Sequence, residues 1–465
     1  HHGLNQNPFA EEDASTDRVF REVCIDRVRH PAWDKIFGSA SVPATSIVFG
    51  EKGAGKTALR LQIDSELKRY NERSPENKVF VIHYDDFNPF LDRFRNRSRR
   101  RRIDRVLGQW QLWDHMDAIL ALGTTQLLDQ IDAEESNDRV KHLKRDQSRD
   151  LLLLAACYNQ STKGNIPGRW NRLRRQTGYP IWRSAALWSG CLLGAVGLMI
   201  SFAIAAFYNP QGWLTPGWFL GLVAGAGVAM SPWLSRWLHC WCKARRVRKW
   251  LRTVNVDVTT LTRQLTRFRP ADMVGQPLPA HDSTDERYAL LHKLRDILGH
   301  FGYTGIVVLV DRLDEPHLIN GKPELMKSLL WPMLDNKFLK QPGIGLKMLL
   351  PSELTPYIHK EDRDFFQRAR LDKQNVIQSL DWTPEAIIDL ADERMSCCSF
   401  DDVATSRLMD FFDDSVGRQR ILEIMRALRV PRRAFKFLYT VVAEHCATNA
   451  GGEPKWQIDA ATLEP

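Results

Sequence analysis

The chain has 465 residues, 43% of them hydrophobic and 26% charged, with a net charge of +9. That length allows two or three folded units with a well-buried core, and the composition excludes fibrous and mostly disordered proteins. The basic excess suits an acidic partner such as phosphate, nucleic acid or anionic lipid, without choosing among them. Eight cysteines are scattered along the chain, and His239-Cys240-Trp241-Cys242, the nearest thing to a metal cluster, lacks a second Cys/His pair at zinc-finger distance. Scattered thiols fit a reducing compartment. No signal-peptide pattern opens the sequence.

In chain order, residues 14–30 read as a helix leading to an apolar strand, Thr45 to Phe49. The strand runs into Gly50-Glu51-Lys52-Gly53-Ala54-Gly55-Lys56-Thr57, which matches G-x-x-x-x-G-K-[ST] between a strand and a helix. The chemistry needs these types. Gly50, Gly53 and Gly55 let the backbone curl so that its N–H groups, with those of Ala54 and Ala58, face phosphate at a helix N-terminus. Lys56 reaches the terminal phosphates and the Thr57 hydroxyl is a ligand for Mg²⁺. The helix from Ala58 to Tyr70 presents Leu59, Ile63 and Leu67 on one face, and a second strand follows at Val79 to Tyr84.

The pattern then stops for about 200 residues. Eight arginines occur among the thirteen residues Arg93–Arg105, a run that suits anionic lipid, nucleic-acid phosphate or simple solvation. Ala185 to Tyr208 is 24 residues without a charge, roughly 36 Å as a helix against a hydrocarbon core of about 30 Å. A second uncharged run covers 213–235 after the link Asn209-Pro210-Gln211-Gly212. The pair reads as a transmembrane hairpin. Arginines and lysines flank both outer ends and the link has none, which predicts a two-pass anchor in the cytoplasmic (inner) membrane with both termini in the cytoplasm. Glycines spaced by four, at 217, 221 and 225, suit close helix packing and a possible homo-oligomer. Val247, Leu251, Val254, Val258, Leu261, Leu265 and Phe268 form a heptad seam, read as a stalk or as ordinary bundle packing.

The first pattern resumes with a helix at 286–300 and the strand Ile306 to Val310, ending in Asp311-Arg312-Leu313-Asp314-Glu315. Asp311 at a strand end supplies the acidic partner of the glycine loop and holds Mg²⁺ through water. Asp314 or Glu315, the latter preferred, polarises the attacking water. Further strands at 346–350 and 376–380 precede helices from 384 to about 446, broken at Val430-Pro431. Ser352 reads as a polar sensor of the γ-phosphate or as a turn residue. Arg432 and Arg433 read as lid arginines, one of which reaches the γ-phosphate, or as surface charges, and Arg368 and Arg370 before the fifth strand read as fingers for a neighbouring protomer. Alternating strands and helices predict a three-layer αβα parallel sheet with a C-terminal helical lid. The expected division is 10–90 and 286–382 for the sheet domain, 91–285 for the helical insert and 383–465 for the lid.

GEKGAGKT at 50–57, IVVLVDRLDE at 306–315 and the spans between them resemble the KAP family of P-loop NTPases, an AAA+/STAND-like group. The resemblance implies ATP, Mg²⁺ and membrane-tethered assembly or signalling; some prokaryotic members are linked to exclusion of phage or plasmids. Where many relatives show adjacent aspartates, Arg312 and Leu313 here separate Asp311 from Asp314. The expected activity is a membrane-anchored ATPase. The alternatives are a non-hydrolytic nucleotide-dependent scaffold and a membrane-tethered nucleic-acid-binding ATPase.

Overall fold

The structure is a computed structural model that describes residues 4–100, 102–133, 138–180, 192–197, 199–200, 203, 207, 216–400, 407–449 and 455–463. Five strands form one parallel sheet: β1 (Ser46–Gly50), β2 (Lys78–Tyr84), β3 (Tyr303–Val310), β4 (Ile344–Pro351) and β5 (Asn375–Ile377), in the order β2-β3-β4-β1-β5. The principal helices are α1 (Trp33–Phe37), α2 (Lys56–Arg73), α3 (Asn88–Arg97), α4 (Leu112–Ala133), α5 (Arg145–Tyr158) and α6 (Ile166–Gln176). They continue with α7 (Pro216–Trp250), α8 (Val258–Leu265), α9 (Asp285–His300), α10 (Pro384–Cys397), α11 (Gly417–Leu428) and α12 (Pro431–Thr448). The chain divides into two compact units, one of residues 1–89, 100–111 and 302–465, the other of 90–99 and 112–301.

The first unit holds the sheet. Its central strands are continuous apolar runs because parallel strands are covered on both faces; β1 and β4 are buried at every position. The one charged residue in β4, Lys347, is 2% exposed. Its ammonium donates to the carbonyls of Ile36 (2.7 Å) and Phe37 (2.8 Å), satisfying the open end of α1. Burial lowers its pKa to about 8. Helices α10, α11 and α12 enclose a separate apolar cluster that includes Ile388, Met395, Ile421, Met425 and Leu438, so the expected lid has its own small core. The helix expected over 14–30 shrinks to a π-turn, Phe20–Cys24. Asp13 closes an Asx turn with Ser15 (2.9 Å) and Asp17 caps Phe20 (3.0 Å), local bonds that compete with a continuous helix.

The second unit is helical, and buried ion pairs cross it. Arg287 of α9 and Asp117 of α4 are both fully buried, 3.2 Å apart, and the Tyr158 hydroxyl of α5 donates to the same carboxylate at 2.7 Å. Arg169 of α6 reaches Asp129 (2.8 Å) and Asp132 (2.6 Å) on α4. These bonds explain why 286–300, read above as opening the second half of the sheet domain, falls in this unit instead. Leu290, Leu291, Leu294 and Ile297 are buried in α9, which packs on α4 and α5. The heptad seam is not one stalk helix. α7 ends at Trp250 and α8 folds back against it, with the Asp257 side chain capping Thr260 at 2.8 Å. Val247, Leu251, Val254, Leu261, Leu265 and Phe268 are all buried, which is bundle packing.

The first uncharged span, 185–208, falls mostly outside the described residues. The second lies in and just before α7. Among the described residues no helix is long and apolar enough to cross a membrane, so the fold does not support the expected hairpin. The described end of α7 is polar, carrying Arg236, Lys243, Arg245, Arg246, Arg248 and Lys249.

The arginine run is partly structural. Arg97 donates to the carbonyls of Arg248 (3.1 Å), Leu251 and Val254 (2.9 Å), the orphan acceptors where α7 ends. Arg102 pairs with Asp104 at 3.0 Å. Arg95, Arg99 and Arg105 are exposed.

Candidate functional site

Residues Glu51 to Gly55 loop between β1 and α2, and two glycines carry the turn, with φ of +90° at Gly53 and +95° at Gly55. Only glycine adopts that region without cost. An added Cβ at Gly53 would lie 2.8 Å from the Arg432 Cβ, so lid helix α12 begins against the loop. The Arg432 N–H donates to the Gly53 carbonyl at 3.3 Å, and its Nε donates to the Glu12 carbonyl at 3.2 Å.

Lys56 is folded into the loop, its ammonium donating to the carbonyls of Gly50 (2.7 Å) and Glu51 (2.9 Å). Burial lowers its pKa, opposed by the charges of Asp314, Asp311 and Glu353. The Thr57 hydroxyl lies 3.5 Å from Asp311 Oδ2. Asp311 is 2% exposed, and burial raises its pKa, opposed by the Arg312 backbone N–H and then by the Arg60 guanidinium. A hydroxyl and a carboxylate oxygen at this separation fit a hard divalent cation that keeps water and phosphate as its other ligands. Among the described residues no group of three His, Cys, Asp or Glu forms a metal cage.

One cavity gathers Gly53, Gly55, Lys56, Thr57 and Ala58 with Asp311, Asp314, Glu315 and Arg432. Arg312 adopts a left-handed φ of +58°, and its Nε sits 3.7 Å from Glu315 Oε1. That turn brings both Asp314 and Glu315 to the cavity despite the two intervening residues. Burial raises the Glu315 pKa, which suits a base more than a fixed counter-ion does, although its side chain is 59% exposed. Gly50 ends β1 as the ladder partner of Pro351. Ser352 opens the next turn and does not line the cavity. Ala54 is buried behind the loop. Arg433 is exposed, Arg368 lies over the Phe365 ring at 5.8 Å and Arg370 pairs with Asp372 at 3.7 Å, and none of the three lines this cavity.

The sequence reading missed several participants. The segment from Glu11 to His30 forms a wall of the cavity through Asp13, Phe20, Cys24 and His30. Gln62 of α2 fixes it by donating to the carbonyls of Ile25 (3.0 Å) and Val28 (2.7 Å), and the nearly buried pair Arg394–Asp17 (2.6 Å) fixes it to α10. The Trp382 indole N–H donates to the Ala54 carbonyl at 2.9 Å, and His30 meets the Trp382 ring edge-on. His30 accepts the Ala32 N–H at Nδ1, so its Nε2 carries the proton donated to the Asp381 carbonyl at 2.9 Å. Burial lowers the His30 pKa. Arg60 contacts both Asp311 and Asp85, and a signal for it existed: it lies four residues beyond Lys56, on the same face of α2.

The site thus combines a glycine loop at a helix N-terminus, a lysine, a hydroxyl–carboxylate pair and two further acids under an arginine-bearing lid. Comparison with protein families, with curated proteins and with solved structures gave no match to this chain.

Proposed function

We propose that the first unit binds ATP with Mg²⁺ and hydrolyses it, as expected of a KAP-like P-loop NTPase. The observation that carries this reading is the convergence of Lys56, Thr57, Asp311 and Asp314-Glu315 on one cavity from two stretches far apart in sequence. Thr57 and Asp311 are the residues that would hold Mg²⁺, which when bound neutralises charge developing on the transferred phosphoryl group. The loop N–H groups and Lys56 bind phosphate, Glu315 or Asp314 takes the proton of the attacking water, and Arg432 places positive charge at the lid edge. ATP turnover by the purified full chain, compared with Lys56→Ala, tests the proposal. Turnover falling at least about a hundredfold supports it; equal turnover in the two proteins refutes it. ATP binding without turnover in the wild type supports the non-hydrolytic scaffold instead.

Membrane anchoring is the second part of the proposal. It is supported by the two uncharged runs and by large apolar side chains exposed in and beside them: Leu192, Leu193, Met199, Ile200, Trp233 and Leu234. Flotation of the full chain with liposomes tests it, and recovery wholly in the soluble fraction refutes it.

A further inference from the structure

Two carboxylates end neighbouring strands. Asp85 follows Tyr84 and Asp311 follows Val310, and Tyr84 and Val310 are direct partners in the parallel ladder. Strands pair about 4.8 Å apart, so the acids sit side by side at the carboxyl edge of the sheet, where α/β folds bind ligands. Arg60 reaches both. Its Nη1 donates to Asp85 Oδ2 at 2.8 Å, and its Nε lies 3.2 Å from Asp311 Oδ2. That oxygen also faces the Thr57 hydroxyl. The two contacts differ in kind. The bond to Asp85 is aligned, whereas Nε is buried and makes no hydrogen bond, so Arg60 acts on Asp311 by charge and proximity alone. Asp85 is the wetter acid, its side chain 27% exposed against 2% for Asp311.

We propose that Arg60 is a built-in counter-ion of Asp311 that competes with the divalent cation for Oδ2, and that Asp85 is the acceptor that holds the guanidinium aside when the cation binds. Both are positioning residues, and the inference rests on the nucleotide–Mg²⁺ reading above. A unit positive charge beside the metal-binding oxygen repels a second cation, strongly so where water is excluded. Removing that charge tightens Mg²⁺ binding. Removing Asp85 leaves the guanidinium no partner but Asp311, and Mg²⁺ binding weakens. A purely structural pair produces no such opposition of sign.

The test is binding of a fluorescent ATP analogue to the full chain across a MgCl₂ titration, read as the Mg²⁺ midpoint without turnover. Arg60→Gln lowers the midpoint about tenfold, Arg60→Lys restores it, and Asp85→Asn raises it about tenfold, couplings within the usual range for linked sites. Midpoints that move in the same direction, or stay at the wild-type value, overturn the inference while leaving nucleotide binding intact. Should Arg60→Gln fail to fold, Asp85→Asn at the more exposed acid decides alone, because an unchanged or lowered midpoint there overturns it. A wild-type chain that binds no analogue at any Mg²⁺ concentration, like Lys56→Ala, overturns the nucleotide reading and this inference with it.

Discussion

Gly53→Ala tests whether the lid helix is seated on the glycine loop. Two penalties apply at this position. The backbone sits at φ +90°, where a side chain costs about 1–2 kcal/mol. The added Cβ would also lie 2.8 Å from the Arg432 Cβ and 3.3 Å from its Cδ. Rotation cannot move the Arg432 Cβ, which the first turn of α12 and its N–H bond to Gly53 hold in place. Overpacking of this kind adds about 1–3 kcal/mol. Gly55 is the internal control: its φ is +95°, but its nearest neighbour is the Trp382 ring at 4.0 Å. Gly55→Ala therefore costs about 1–2 kcal/mol and Gly53→Ala about 2–5 kcal/mol. Urea unfolding followed by circular dichroism measures both. Pairing Gly53→Ala with Arg432→Gly, which deletes the obstructing Cβ, should recover the overlap penalty and give a coupling of about 1–3 kcal/mol in a double-mutant cycle. Equal losses at Gly53 and Gly55, or a double mutant whose effects simply add, would refute the reasoning.

Lys347 gives the pH dependence a sign. Burial lowers its pKa to about 8, whereas the unfolded chain keeps the ordinary value of about 10.4. Between these values the unfolded state binds the extra proton and stability rises with pH; Lys347→Met should lose that slope in denaturation curves taken from pH 7 to 10. In the second unit, Arg287→Met leaves Asp117 buried without its partner and should cost about 3–5 kcal/mol, whereas Arg287→Met with Asp117→Leu should be closer to wild type in urea midpoint. Arg97→Ala removes the cap on the end of α7 and should destabilise by about 1–3 kcal/mol, while Arg95→Ala at an exposed position stays within about 0.5 kcal/mol.

The sheet was legible because its strands are short, mostly apolar runs bounded by turn residues. Ile306 to Val310 followed by Asp311, and Leu346 to Leu350 followed by Pro351, sit where the reading places them. The glycine loop between β1 and α2, and Asp311 at the end of β3, were each legible because each motif is local, although the two lie 254 residues apart. What failed was longer-ranged. The 14–30 segment has helical apolar spacing, yet its Asx turn and its contacts to α2 and α10 hold it in another shape. The 286–300 helix has a face that suits a sheet as well as a bundle, and a buried arginine, Arg287, settles the matter through Asp117, 170 residues away. No window of sequence contains both partners.

The same limit governs the arginines, which a composition-based reading treats as one basic feature. Charge is visible in a sequence but its partner is not, and an arginine serves equally to bind an external anion or to satisfy internal acceptors. Of the run at 93–105, Arg97 is committed to the carbonyls at the end of α7 and Arg102 to Asp104. Arg60, outside any run, sits in the candidate site 3.2 Å from Asp311. The number of arginines in the run therefore overstates what is offered to an acidic partner. Salt-dependent binding to anionic vesicles or duplex should accordingly depend on exposed positions such as Arg95, Arg99 and Arg105. If Arg97→Ala, in protein shown to remain folded, weakened that binding as much as losing those three together, its bonds to the helix end would not be its main role.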